Sequence, residues 1–151
     1  IHGVWGCELS GALTLETILT PHPGEMARLT GMEIADLEQD RLAAAKTHAE
    51  RWGHVVVLKG AFTVVAAPDG RAVLLPFANA GLASAGTGDV LAGAIVALRA
   101  QGLAPFEAAV AGAYVHATAG EIARTAHGKA GMAAHDVAHA LPETLRRLKE
   151  D

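Results

Sequence analysis

Val55-Val56-Val57-Leu58-Lys59-Gly60 is the stretch that decides the fold class. Four apolar residues in succession fill both faces of a pleat, as in a strand covered on two sides. The Lys-Gly pair stands at the carboxyl end, where open α/β sheets place their ligands. Upstream, residues 34–52 carry Leu37, Leu42, Ala45 and Ala49 along one stripe and predict one long helix. Ahead of it, Thr17-Ile18-Leu19-Thr20 predicts a second short strand. It stops at Pro21-His22-Pro23-Gly24, where two prolines remove backbone donors and disfavour helical geometry before them. A short helix over 25–29, ending near Gly31, follows. Downstream, residues 63–67 and 72–75 flank Pro68-Asp69-Gly70-Arg71 and predict a hairpin. Beyond it helices are expected over 88–100, 105–126 and 135–148, interrupted at Gln101-Gly102-Leu103 and at Pro142.

With 151 residues, of which 51% are hydrophobic and 19% charged, the chain suits one apolar-cored domain and is too apolar to be a disordered tail. Only 4% are aromatic and 17 are glycine, which points to closely packed helices rather than a thick aromatic core. A net charge of −4, with no basic stripe, argues against nucleic acid as a partner. No apolar run is long enough for a membrane helix and no signal peptide is evident, so the expected location is cytoplasmic. The single cysteine, Cys7, is expected to be a buried small side chain. Residues 1–16 have weak periodicity, and Ile1 in place of Met suggests that the chain begins inside a longer protein.

The chemistry concentrates in Ala83-Ser84-Ala85-Gly86-Thr87-Gly88-Asp89-Val90-Leu91-Ala92-Gly93, where small residues lead straight into a helical pattern. A helix opening there offers unpaired backbone N–H groups and the positive end of its dipole, and glycine lets anionic oxygens approach the main chain. Phosphate fits such a terminus. Neither the Gly-Lys-Ser/Thr phosphate loop nor the dinucleotide fingerprint matches, since Leu91 stands where the latter needs glycine. Asp89 has two readings. A carboxylate beside an anion hole can take the proton of a hydroxyl reacting at a phosphoryl group. Alternatively it is only a favourable first-turn acid, worth about 0.3–1 kcal/mol.

Around this segment the sequence resembles the ribokinase-like superfamily and, within it, the NAD(P)H-hydrate dehydratases. The resemblance runs through Ile18-Leu19-Thr20-Pro21-His22-Pro23-Gly24-Glu25, Val56-Val57-Leu58-Lys59-Gly60-Ala61-Phe62-Thr63, Ala85-Gly86-Thr87-Gly88-Asp89-Val90 and Ala113-Tyr114-Val115-His116-Ala117. It covers about residues 18–145, and Thr-Pro-His-Pro-Gly-Glu makes the dehydratase branch the more specific match. Residues 1–16 match poorly. The resemblance implies a single domain, the carboxyl-terminal portion of a three-layer α/β/α fold, because family members are nearly twice this length.

The same resemblance implies an ADP- or ATP-dependent elimination acting on hydrated NADH or NADPH (NADHX or NADPHX). By position, Asp89 would contact the hydrate and activate its hydroxyl, and His22 would touch the hydrate. Gly86, Thr87 and Gly88 would form the anion hole. Lys59, Gly60, Ala61, Phe62 and Thr63, with Gly88, would hold the nucleotide. Mg²⁺ would bridge nucleotide phosphates with few dedicated protein ligands. A homo-oligomer is expected, because a short sheet leaves an apolar edge.

The chain departs from the family in having Asn79-Ala80-Gly81 where Asn-Pro-Gly is usual, which removes a φ constraint. Two other functions stay open: a ribokinase-superfamily small-molecule kinase of the thiamin-precursor type, and a nucleotide-binding remnant without turnover. Taken on their own, His22 reads as a loop histidine, Lys59 as a snorkelling charge, and Glu25 as a first-turn helix acid with no catalytic role. His135 and His139 have the i, i+4 spacing of a zinc site, but no third ligand is evident and the stretch reads as a helix start.

Overall fold

A computed structural model describes residues 17–150. Cys7 and the rest of 1–16 lie outside the described residues. The chain divides into two compact units between Pro76 and Phe77.

The first unit is a four-stranded mixed sheet with helices. Strand β1 (Ile18–Leu19) pairs parallel with β2 (Val55–Leu58), which continues antiparallel to β3 (Val64–Ala66) and then β4 (Ala72–Leu74). All four β2 residues are buried, as the unbroken apolar run requires. Val56, Leu58, Val64 and Ala66 share one face of the sheet and pack with Met26, Leu37, Ala45, Ala49 and Trp52 from the helices. The Val56↔Ala66 and Leu58↔Val64 register puts these residues directly opposite one another, so the core face is continuous across β2 and β3.

Helix α1 runs Pro23–Thr30, starting two residues ahead of the expected 25–29 segment and closing on Gly31. Proline suits its first turn, where a missing N–H leaves nothing unpaired. The single helix expected over 34–52 is instead two, α2 (Ile34–Gln39) and α3 (Arg41–Trp52). Asp40 leaves helical geometry (φ −143°, ψ 79°), and its side chain accepts the Ala43 N–H at 2.9 Å, ending one helix and capping the next. The break turns the expected stripe: Leu37, Ala45 and Ala49 are fully buried, whereas Leu42 is 42% exposed.

The second unit is helical. A 3₁₀ turn (Ala80–Ala83) leads into α4 (Thr87–Ala100), α5 (Pro105–Gly131) and α6 (Ala134–Glu150). Ala119, Ala123, Met132, Val137 and Ala140 form its core, with Leu82, Val90 and Ile122 packed against it. Small residues bring α4 and α5 very close: a Cβ on Gly112 would lie 2.6 Å from Ile95 Cγ1. Helix α5 extends past the expected 126 but leaves helical geometry at Gly128. Pro142, expected to interrupt the last helix, sits inside α6. Pro142 is exposed there, and it gives the helix no N–H for the carbonyl four residues earlier. Among the described residues no helix is long and apolar enough to cross a membrane.

Candidate functional site

Two regions carry the residues singled out above, one in each unit.

In the first unit they cluster at the carboxyl ends of β1 and β2. The Lys59 N–H donates to Pro21 O at 2.9 Å, prolonging the parallel ladder beyond both strands, so His22 and Lys59 emerge on the same edge. His22 caps α1. Its Nδ1 accepts the Glu25 N–H at 3.2 Å while its own N–H donates to Glu25 Oε2 at 2.7 Å, a reciprocal capping box built on histidine. A nitrogen that accepts a backbone N–H bears no proton, so the neutral ring carries its hydrogen on Nε2. That atom lies 3.4 Å from Glu25 Oε1, and the ring is half exposed.

Glu25 also reaches Lys59, with Oε2 3.5 Å from Nζ. The sequence reading of Glu25 as a first-turn acid holds, but the bridge between His22 and Lys59 has no local sequence signal. Partial burial works against its charge, yet the His22 amide and the Lys59 ammonium outweigh that and hold the Glu25 carboxyl below its ordinary 4.5. A carboxyl depressed on folding stabilises the folded chain above its unfolded value, and this contribution disappears as pH falls from 4.5 through the lower folded value. Unfolding measured across that window should show the native chain losing stability more steeply than Glu25→Gln. Equal slopes would contradict the bridge.

Arg41 was not singled out in the sequence and nonetheless shapes this edge. Its Nη2 donates to Leu58 O and Lys59 O, both at 3.0 Å, and satisfies carbonyls that β2 leaves open at its end. The guanidinium lies so close to Gly60 that a Cβ there would come within 2.9 Å of it. The loop then turns through Phe62, whose φ of 55° is unusual for a bulky residue and whose ring is half exposed. Thr63 Oγ1 closes the turn by donating to Gly60 O at 3.0 Å. Beside this edge a cleft of about 410 Å³ is lined by Leu19, Thr20, Pro21, Glu25, Arg28 and Leu29.

In the second unit the expected bare terminus is present. Helix α4 starts after Gly86, which is left-handed (φ 85°) and has no side chain to cap the helix. The Thr87 N–H donates to Ser84 O at 3.3 Å and the Asp89 N–H to Gly86 O at 3.1 Å. The amides of Gly86 and Gly88 meet no acceptor among the described residues. Thr87 differs from its neighbours: it is 4% exposed, and its hydroxyl lies 2.6 Å from Leu82 O and 2.8 Å from Ser84 O, tying the turn from within. Asp89 is exposed in the first turn, and its carboxylate makes no hydrogen bond or ion pair among the described residues.

The preceding loop is held by its own polar groups. Asn79 Oδ1 accepts the Gly81 N–H at 3.0 Å, so the Asn-Ala-Gly variant keeps a fixed turn without the usual proline. Ser84 Oγ lies 2.9 Å from Gly81 O and 3.3 Å from Met132 O, which joins the loop to the α5–α6 corner. His116, on α5, is buried and places Nε2 2.9 Å from Thr87 O. His135 and His139 face each other with ring centroids 6.0 Å apart, and His135 also approaches Asp136 at 3.2 Å. Among the described residues no three His, Cys, Asp or Glu side chains gather around one point.

Comparison with known proteins places the chain in a family. A sequence model described as NAD(P)H-hydrate dehydratase matches residues 8–143. The chain is 49% identical over 134 residues to the bifunctional NAD(P)H-hydrate repair enzyme Nnr of Moorella thermoacetica, covering 89% of this chain and 25% of that protein. It superposes with a TM-score of 0.82 and 38% identity on the ADP/ATP-dependent NAD(P)H-hydrate dehydratase of Bacillus subtilis co-crystallised with ATP and Mg²⁺, over 86% of this chain and 47% of that one. A ribokinase-like superfamily protein of Enterococcus faecalis matches with a TM-score of 0.73 and 29% identity, over 86% of this chain and 44% of its own. The fold is therefore the α/β fold of the ribokinase-like proteins, and the chain spans between a quarter and a half of the length of these relatives. It belongs to the NAD(P)H-hydrate dehydratase family.

Proposed function

We propose that this chain carries the carboxyl-terminal part of a single ribokinase-like domain that uses ADP or ATP to dehydrate NADHX or NADPHX. The observation that carries the proposal is the uncapped start of α4, with the Gly86 and Gly88 amides unpaired next to an unengaged Asp89 carboxylate, in a chain of this family.

Phosphate oxygens of the nucleotide take those two amides, each a charge-assisted hydrogen bond supported by the helix dipole. Asp89 accepts the proton of the ring hydroxyl as the hydroxyl oxygen attacks the terminal phosphorus of the nucleotide, and the bond from that phosphorus to its bridging oxygen breaks, releasing ADP from ATP or AMP from ADP. The phosphorylated ring then loses phosphate together with a ring proton, and the double bond of the reduced nicotinamide is restored. Thr87 contributes by fixing the turn. His22 donates from Nε2 to an oxygen of the hydrate, because its Nδ1 is occupied by the cap. Lys59 meets nucleotide phosphate with its ammonium, and residues 60–63 bound the nucleotide beside it.

Mg²⁺ suits this residue set as the counter-ion of the nucleotide. Nucleotide phosphates and water would hold it, as that ion prefers. When bound it neutralises charge on the phosphates. The reading extends to a homo-oligomer acting in the cytoplasm.

Incubating the chain with hydrated NADH or NADPH plus ADP or ATP and Mg²⁺ tests the proposal. Return of reduced-nicotinamide absorbance is the expected result. A phosphorylated alcohol without that return identifies a kinase, and nucleotide binding without either product identifies a binding remnant.

A further inference from the structure

Buried histidines are uncommon without a task, and His116 is 8% exposed in the middle of α5. Its Nε2 lies 2.9 Å from the Thr87 carbonyl oxygen. A carbonyl only accepts, so Nε2 carries the proton and the imidazole is the donor. The Thr87 carbonyl belongs to the same rigid peptide unit as the Gly88 N–H, and in a trans peptide the two point in opposite directions. The oxygen also belongs to the first turn of α4, so the imidazole adds a second hold on a peptide whose plane sets where the amide hydrogen aims. Gly88 is one of the two amides at the start of α4 that meet no acceptor among the described residues.

We infer that His116 is a positioning residue that aims the Gly88 N–H at the nucleotide phosphate through the Thr87–Gly88 peptide plane. Donation to one end of a peptide also polarises its other end, so the hydrogen bond strengthens Gly88 as an anion donor as well as orienting it. The surroundings make the contact stiff. Gly112 lets α5 approach Ile95 of α4 closely, and the buried Thr87 hydroxyl bonds within the same turn. The inference rests on the anion-hole role proposed above.

Two substitutions separate positioning from packing. Gln places an amide N–H as many bonds from Cβ as Nε2 stands, whereas Leu fills similar space with no donor. Three quantities are read on the full chain: the Gly88 ¹H–¹⁵N resonance without ligand, the ADP dissociation constant, and the melting temperature. His116→Leu is expected to move the Gly88 resonance and weaken ADP by about tenfold, the size of one net hydrogen bond. His116→Gln is expected to restore both to near the native values, although its melting temperature need not recover.

An unmoved Gly88 resonance in His116→Leu, or an ADP affinity as poor in the Gln variant as in the Leu variant, would overturn the inference. Should the Leu variant fail to fold, His116→Asn, whose amide stops a bond short, takes its place with the same expected losses. If the native chain binds no ADP, the nucleotide reading fails separately. The Gly88 resonance then decides alone whether His116 controls that peptide.

Discussion

Asp89→Ala is expected to lower regeneration of reduced nicotinamide by about a hundredfold to ten-thousandfold while leaving ADP affinity close to native. The expectation follows from what the side chain does not do. It is exposed and engages no partner among the described residues, so its removal withdraws no structural contact. The only structural loss is a first-turn acid at a helix dipole, about 0.3–1 kcal/mol. A large loss of rate with a small loss of stability would therefore be chemical in origin. Removing a carboxylate from an anion-binding terminus also removes repulsion, so nucleotide affinity should hold or rise slightly. If Asp89 were merely a helix-start acid, the variant would keep its rate and lose only that small stability. Asp89→Asn, which keeps the shape and lacks the base, should behave like the alanine variant in turnover.

Gly86→Val is expected to weaken ADP binding by at least about a hundredfold. At φ 85° a β-branched residue is strained by about 1–3 kcal/mol. Even a bare Cβ at this position would lie 3.1 Å from the Ala134 Cβ, so the turn must shift. Once it shifts, the Gly86 and Gly88 amides no longer point as a pair, and hydrogen bonds to charged groups are worth about 1.5–3 kcal/mol each. Gly93→Ala provides the contrast: it lies in the same helix with open space around it and ordinary helical φ. There the substitution removes backbone freedom and should stabilise the chain by up to about 1 kcal/mol without changing affinity. Equal affinity in the two variants would mean that the α4 terminus is not where nucleotide binds.

Features set by local chemistry were legible in the sequence. The unbroken run 55–58 gave a strand buried on both faces, the Pro-Asp-Gly-Arg turn gave the β3–β4 hairpin, and the small residues before Val90 gave an uncapped helix start. Asp40 carried a signal that the apolar stripe obscured: a residue that competes for backbone donors stood inside a predicted helix and split it. Contacts distant in sequence had no such signal. Arg41 reaches carbonyls 17 and 18 residues away, and His116 meets Thr87 across 29 residues. Neither spacing belongs to any local period, so only the folded backbone brings them together. The capping box of His22 and Glu25 lies between these cases. Its three-residue spacing is visible in the sequence, but histidine stands where Ser or Thr is usual.

The most direct test is a titration of the ¹⁵N-labelled chain with ADP and Mg²⁺, following individual backbone amides. Saturable displacement of the Gly86 and Gly88 resonances, larger than that of any amide later in α4, is the predicted result. Saturable ADP binding that leaves both resonances in place would contradict the account.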